Sequence, residues 1–143
     1  MPSHHHTIRI HIARPVEAVF GAVADVNTHP QWISQVIRTE TSDPLPLKVG
    51  SHVDDVMRMF GREMRGTFEV IKVDPPHAIG IHFISGPMRP TNHMTFSSEN
   101  DGTLLESETT IPGLMGVLMG RMVISQQQRN LQTLKELLEA GKL

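Results

Sequence analysis

From residue 36 to residue 112 the chain repeats one pattern, a short run of β-forming residues followed by a cluster suited to turning. The runs predict strands over 36–41, 50–59, 62–73, 78–85, 90–98 and 103–111. The gaps carry "DPLPLKVG", "FG", "DPPH", "SGPM" and "ENDG", all rich in Gly, Pro, Asn or Asp. Gaps this short join antiparallel neighbours, so the stretch predicts one meandering sheet.

The turns also predict which side chains share a face. Residues paired across a tight hairpin have a constant sum of numbers and point to the same side of the sheet. A turn at Phe60-Gly61 pairs Met57 with Met64, Asp55 with Gly66, and Val53 with Phe68. A turn at Pro75-Pro76 pairs Val70 with Ile81 and Phe68 with Phe83. A turn at Pro87-Met88 pairs Ile81 with Met94, Ile79 with Phe96, and Phe83 with Asn92. A turn at Asn100-Asp101 pairs Phe96 with Leu105, Met94 with Ser107, and Asn92 with Thr109. The four hairpins agree on one face rich in Met, Phe and Ile, interrupted by Asp55, Asn92, Ser107 and Thr109. The opposite face carries Asp54, Arg58, Glu63, Arg65, Glu69, His82, His93, Glu106 and Glu108. A bulge would reverse this parity beyond it.

The flanks supply the rest. "TIRIHI" alternates and predicts a further half-buried strand at 7–12. "ARPVEAVFGAVAD" predicts a helix, with Pro15 at its start, Glu17 in its first turn and Val16, Val19, Phe20 and Val23 on one stripe. Asp25 and Asn27 then cap a short helix across "THPQWISQ". After Pro112-Gly113 comes one long helix, its apolar stripe formed by Leu114, Val117, Leu118, Met122, Leu131, Leu134 and Leu138, with a polar centre from Ser125 to Asn130. The order is strand, two short helices, six strands, long helix. This predicts an α+β single domain over 1–143, a seven-stranded curved antiparallel sheet wrapped around its C-terminal helix. One helix cannot fill a strongly curved sheet everywhere, so a cavity between them is expected.

Composition narrows the function. A net charge of −2 lacks the basic stripe that phosphate backbones require, which argues against nucleic acid. The absence of Cys excludes disulfides, thiolate metal sites and a Cys nucleophile, and fits a reducing cytoplasm. "MPSHHHTIRIHIA" has no apolar core of a signal peptide, and no apolar run nears a membrane span. Nine Met against five Phe suit an adaptable apolar surface or ordinary core filling.

"IARPVEAVFGAVADVNTHPQWISQV", with its D-V-N-x-x-P-x-W segment, resembles the opening of the START-related, birch-pollen-allergen-like superfamily, often labelled SRPBCC. "GTLLESETT" and "LQTLKELLEA" resemble its last strand and final helix, and the polyketide cyclase/dehydrase-like family is the most similar branch. The resemblance spans nearly the whole chain and implies the helix-grip fold. It says little of function, because that scaffold keeps its frame and varies its pocket. It implies that the short helices close one end of the cavity, with Trp32 at the mouth as core, ligand contact or both.

Among the inward residues Asp55 is the sharpest candidate. A carboxylate in an apolar pocket has a raised pKa, which suits a general acid or base, and facing Gly66 it has room beside it. At the sheet rim it would instead be solvated. Asn92, Ser107 and Thr109 would hold a polar group of a ligand or satisfy one another. The expected ligand-binding set is Trp32, Val53, Met57, Met64, Phe68, Ile81, Phe83, Asn92, Met94, Phe96, Leu105, Ser107, Thr109, Leu118 and Met122. His82, His93, Glu69 and Glu108 lie together on the outer face, where a solvated, charge-paired surface is the ordinary outcome, and no metal is expected. "HHH" at 4–6 resembles a fragment of a purification tag. Neither "SGPMRP" nor "GLMGVLMG" is a phosphate loop, and there is no nucleophile elbow.

The expected function is binding of an apolar or aromatic small molecule, lipid- or polyketide-like, by a cytoplasmic monomer or homodimer. The resemblance implies a second possibility, a cofactor-independent cyclase, aromatase or dehydratase in which Asp55 moves protons. A protein-interaction module is the third.

Overall fold

The computed structural model describes residues 2–143. Seven strands form one antiparallel sheet, β1 (Ser3–Ile12), β2 (Val36–Glu40), β3 (His52–Met59), β4 (Arg62–Asp74), β5 (Ala78–Phe83), β6 (Thr91–Glu99) and β7 (Gly102–Pro112). Their order is β1-β7-β6-β5-β4-β3-β2, so β2 to β7 form a meander and β1 closes beside β7. Between β1 and β2 come α1 (Val16–Ala24), a 3-10 turn (Val26–Thr28) and α2 (His29–Trp32); α3 (Gly113–Glu139) follows β7. This is the helix-grip fold.

Turn chemistry sets the register. Phe60 and Gly61 have φ of 53° and 72°, and Asn100 and Asp101 have 46° and 64°, the two-residue geometry whose twist matches that of the flanking strands. Across these turns Met57 faces Met64, Asp55 faces Gly66, Phe96 faces Leu105, and Asn92 faces Thr109, as the arithmetic predicts. Between β5 and β6 the register differs by one step, with Ile81 opposite Asn92 and Ile79 opposite Met94. The pairing centres on Gly86-Pro87 rather than Pro87-Met88, because the chain turns where Gly86 adopts a φ of 113° that a side chain resists. A change of two in the sum keeps every residue on its face. A bulge between Val70 and Lys72 disturbs only the far end of β4. β1 begins earlier than predicted and takes in "HHH": His4, His5 and His6 pair with Ile111, Thr110 and Thr109.

The core fills one end of the grip. Ile8, Ile12, Val19, Phe20, Trp32, Phe96 and Leu105 pack with Leu131, Leu134 and Leu138 of α3. Val26, Leu47, Val53, Phe68 and Val70 form a smaller cluster under β3 and β4. Lys135 Nζ donates to the His11 carbonyl and Arg14 Nη1 to the Leu138 carbonyl, fixing the C-terminal half of α3 to β1.

The N-terminal half of α3 corrects the predicted stripe. Leu114, Val117, Leu118 and Met122 are exposed, Leu118 at 70%. Gly116 and Gly120 face the sheet instead. A Cβ on Gly116 would strike the Ile111 carbonyl, and one on Gly120 would strike the His4 imidazole. The helix comes so close here that only glycine fits, and glycine carries no hydropathic signal.

Candidate functional site

The segment "DVNTHPQW" closes the cavity through a web of short bonds. The Asp25 carboxylate accepts from the Asn27 amide at 3.0 Å, and Thr28 Oγ1 donates to the Ala22 carbonyl at 2.7 Å. His29 Nε2 donates to the Val23 carbonyl at 2.9 Å, and the Trp32 indole donates to Thr28 Oγ1 at 3.3 Å. The His29 and Trp32 rings meet edge to face with centroids 5.8 Å apart. Trp32 is therefore both core and cavity wall.

Beneath α2, between the sheet and residues 123–131 of α3, lies a cavity of about 190 Å³. Ten of the sequence candidates line it: Trp32, Asp55, Met57, Phe68, Ile81, Phe83, Asn92, Met94, Ser107 and Thr109. Six do not. Val53, Phe96 and Leu105 are spent on core packing. Met64 lies beyond the wall, and Leu118 and Met122 are turned outward by the glycine face of α3. Lining residues the sequence reading missed include His29, Ile33, Val36, Met59, Met88, Ile111, Val123, Gln126, Gln127, Asn130 and Leu131. Those from α3 belong to its polar centre and the turns beside it, a signal visible in the sequence as a break in the apolar stripe.

Asp55 is 5% exposed, and its Oδ1 is buried with no hydrogen-bond partner among the described residues. The space expected over Gly66 is occupied: a Cβ there would meet Met57 Cε at 3.0 Å and the Phe83 ring at 3.3 Å. These apolar groups remove water from the carboxyl. Burial first, and the neighbouring Asp54 charge second, push its pKa from 3.8 to about 7. Asp54 itself points outward, accepting from Thr67 Oγ1 at 2.6 Å and from Arg65 at 3.0 Å. The other buried orphan is His29 Nδ1. Because a carbonyl can only accept, Nε2 carries the His29 proton and Nδ1 is a bare acceptor. Burial holds the His29 pKa below 6.5, against the opposing Val23 bond and Asp25 charge.

Three strands away on the same face, Asn92 Nδ2 donates to Ser107 Oγ and to Thr109 Oγ1, both at 2.9 Å. Gln127 Nε2 donates to Thr109 Oγ1 at 3.2 Å, and Gln127 Oε1 accepts from His6 Nε2 at 2.6 Å. Asn130 joins α3 to the chain after α2, accepting from the Ser34 amide and donating to Gln35 Oε1, each at 3.1 Å.

A family profile described as polyketide cyclase / dehydrase and lipid transport matches residues 3–139. The chain belongs to this family. Its fold is shared with solved structures of low sequence identity. The crystal structure of Ara h 8.0201 superposes with a TM-score of 0.78 at 11% identity, over 94% of this chain and 97% of that one. A START superfamily protein from Mycobacterium smegmatis gives 0.77 at 16% identity, over 94% and 99%. The di-domain ARO/CYC StfQ, from the steffimycin biosynthetic pathway, gives 0.77 at 16% identity, over 94% of this chain and 50% of that one. No curated protein sequence matches the chain.

The outer face of this family member is charge-paired. Arg65 bridges Glu40 and Asp54, Arg9 meets Glu106, and His52 meets Glu69. His82 bonds Thr91 while His93 lies over Gly80. Among the described residues no three His, Asp or Glu side chains converge as a metal-holding group, and no helix is long and apolar enough to cross a membrane.

Proposed function

We propose that the chain binds an apolar or aromatic small molecule, lipid- or polyketide-like, in the cavity between the sheet and α3. The observation that carries this is the cavity itself, about 190 Å³ walled by Met, Phe, Ile and Trp with a few polar groups. An apolar cavity of about 150 Å³ is enough to hold benzene, so one aromatic ring with a substituent is a sensible minimum occupant. Such a mix of apolar wall and sparse polar groups is the usual composition of a ligand site. Native mass spectrometry of freshly purified protein tests it. An excess mass that vanishes on denaturation is the expected result. Protein that stays empty after incubation with a panel of lipids and polycyclic aromatics refutes it.

A second reading is catalytic, and Asp55 favours it. A buried carboxyl titrating near neutrality can give and take protons at working pH, as a cofactor-independent cyclase or dehydratase would require. Asp55→Asn separates the readings. Ligand retention with unchanged chemistry supports binding alone, and loss of turnover with retained ligand supports catalysis.

A further inference from the structure

The polar wall formed by Asn92, Ser107 and Thr109 has a fixed hydrogen-bond polarity. Asn92 Nδ2 has two hydrogens, and they point to Ser107 Oγ and Thr109 Oγ1, each 2.9 Å away; the Glu108 carbonyl at 3.4 Å is a distant third. Ser107 Oγ therefore receives a hydrogen bond, and its own hydroxyl hydrogen finds no acceptor among the described residues. Ser107 is 1% exposed and lines the cavity. Its donor can be satisfied only from inside that space.

The polarity is held from outside the cavity. His4 and His6 are bonded at 2.8 Å, and His6 Nε2 meets Gln127 Oε1 at 2.6 Å. Because that oxygen can only accept, His6 pins it, and the Gln127 amide nitrogen is turned toward Thr109 Oγ1 at 3.2 Å. Thr109 Oγ1 receives from both Gln127 and Asn92, and its own hydrogen goes to Gln127 Oε1 at 3.3 Å, so the Asn92 amide meets it with nitrogen rather than oxygen. Among the described lining residues there is no Lys or Arg. A carboxylate would be buried without a counter-charge, which is strongly unfavourable.

We propose that this wall recognises a neutral carbonyl oxygen on the ligand, with Ser107 as its donor and His6 as a positioning residue acting through Gln127. The inference rests on the binding reading above and adds the chemistry of one end of the ligand. Asp55, on β3, lies three strands away from β6, roughly 14 Å along the sheet. The carbonyl end is thus distinct from the Asp55 end, with Phe68, Phe83 and Ile81 between them.

The test uses two probes that differ only in oxygen against methylene, acetophenone and α-methylstyrene. Affinities are measured by calorimetry, and the carbonyl stretch of ¹³C-labelled acetophenone by infrared difference spectroscopy. In the wild-type protein the bound stretch should lie below its value in heptane. In the Ser107→Ala/Asn92→Ala double variant it should return to the heptane value, and the acetophenone-to-methylstyrene affinity ratio should fall roughly fivefold, the loss of one neutral hydrogen bond. His6→Phe should lower the same ratio, and His6→Gln, which can still donate, should restore it. A purely structural role for His6 would weaken both probes together. If both probes bind but the stretch stays at its heptane value, or the ratio is the same in every variant, the carbonyl assignment is overturned and the binding reading stands. If neither probe binds the wild-type protein, the carbonyl assignment is overturned, and the binding reading is decided separately by the mass-spectrometric panel.

Discussion

Replacing Asp55 with Asn should make the protein more stable, and by an amount that depends on pH. The folded protein favours the neutral carboxyl because burial, and secondarily Asp54, raise its pKa from 3.8 to about 7. A gap of about 3 between folded and unfolded values corresponds to about 4 kcal/mol, at 1.36 kcal/mol for each. Between these two values the folded state binds more protons than the unfolded state, so stability falls as pH rises through that window. Below about pH 4 the carboxyl is neutral in both states, and above about pH 7 it is charged in both with the full penalty present. Asn has the shape of the neutral acid and does not titrate. The advantage of Asp55→Asn over wild type should therefore grow by about 4 kcal/mol from pH 4 to pH 8, or roughly 10 °C in Tm for a chain of this length. Any cost of burying the new amide is the same at every pH and cancels in the difference. Urea unfolding of both proteins across that range measures it. Parallel stability curves would show that Asp55 is solvated in the folded protein, and the general acid-base role would go with it.

Phe60 is a bulky residue at a φ of 53° in a turn that favours Asn-Gly, so Phe60→Asn should raise stability by about 1 kcal/mol, read as a higher urea midpoint at unchanged slope. Gly120→Ala should cost about 1–3 kcal/mol by driving a methyl group into His4, and His4→Ala in the same chain should recover part of it, a non-additivity visible in a double-mutant cycle. His29, whose folded pKa is depressed by burial, should make the protein lose stability as pH falls below 6.5. His29→Phe should flatten that acid limb in thermal melts, and an unchanged limb would place the sensitivity elsewhere.

The sheet was legible because two independent signals coincide in it. Turn residues fix where each hairpin reverses, and period-two alternation fixes which side is apolar, so Asp55, Asn92, Ser107 and Thr109 could be placed on the cavity face from sequence alone. The β5–β6 register shifted because "SGPM" offers two neighbouring turn centres and Gly86 takes the one that needs positive φ. The packed face of α3 departs from the hydropathic one for a different reason. Hydropathy ranks Leu118 and Met122 above Gly116 and Gly120, but how closely a helix approaches a sheet is decided by side-chain bulk. The same departure hid Val123, Gln127 and Asn130, which follow once the helix is rotated onto its glycines. His29 carries no such signal: nothing in the local sequence announces that an imidazole there will be left without a partner at one nitrogen.

The three histidines at 4–6 invite removal as a cloning remnant, and the fold argues against it. They form the outer rung of the sheet, covering the last stretch of β7 from Thr109 to Ile111. Without them that stretch would present bare amide and carbonyl groups, an open template for pairing with another chain. A truncated protein should therefore announce its loss first as concentration-dependent aggregation rather than as a lower melting point. Any affinity handle at this end belongs ahead of Ser3, separated from it by a linker.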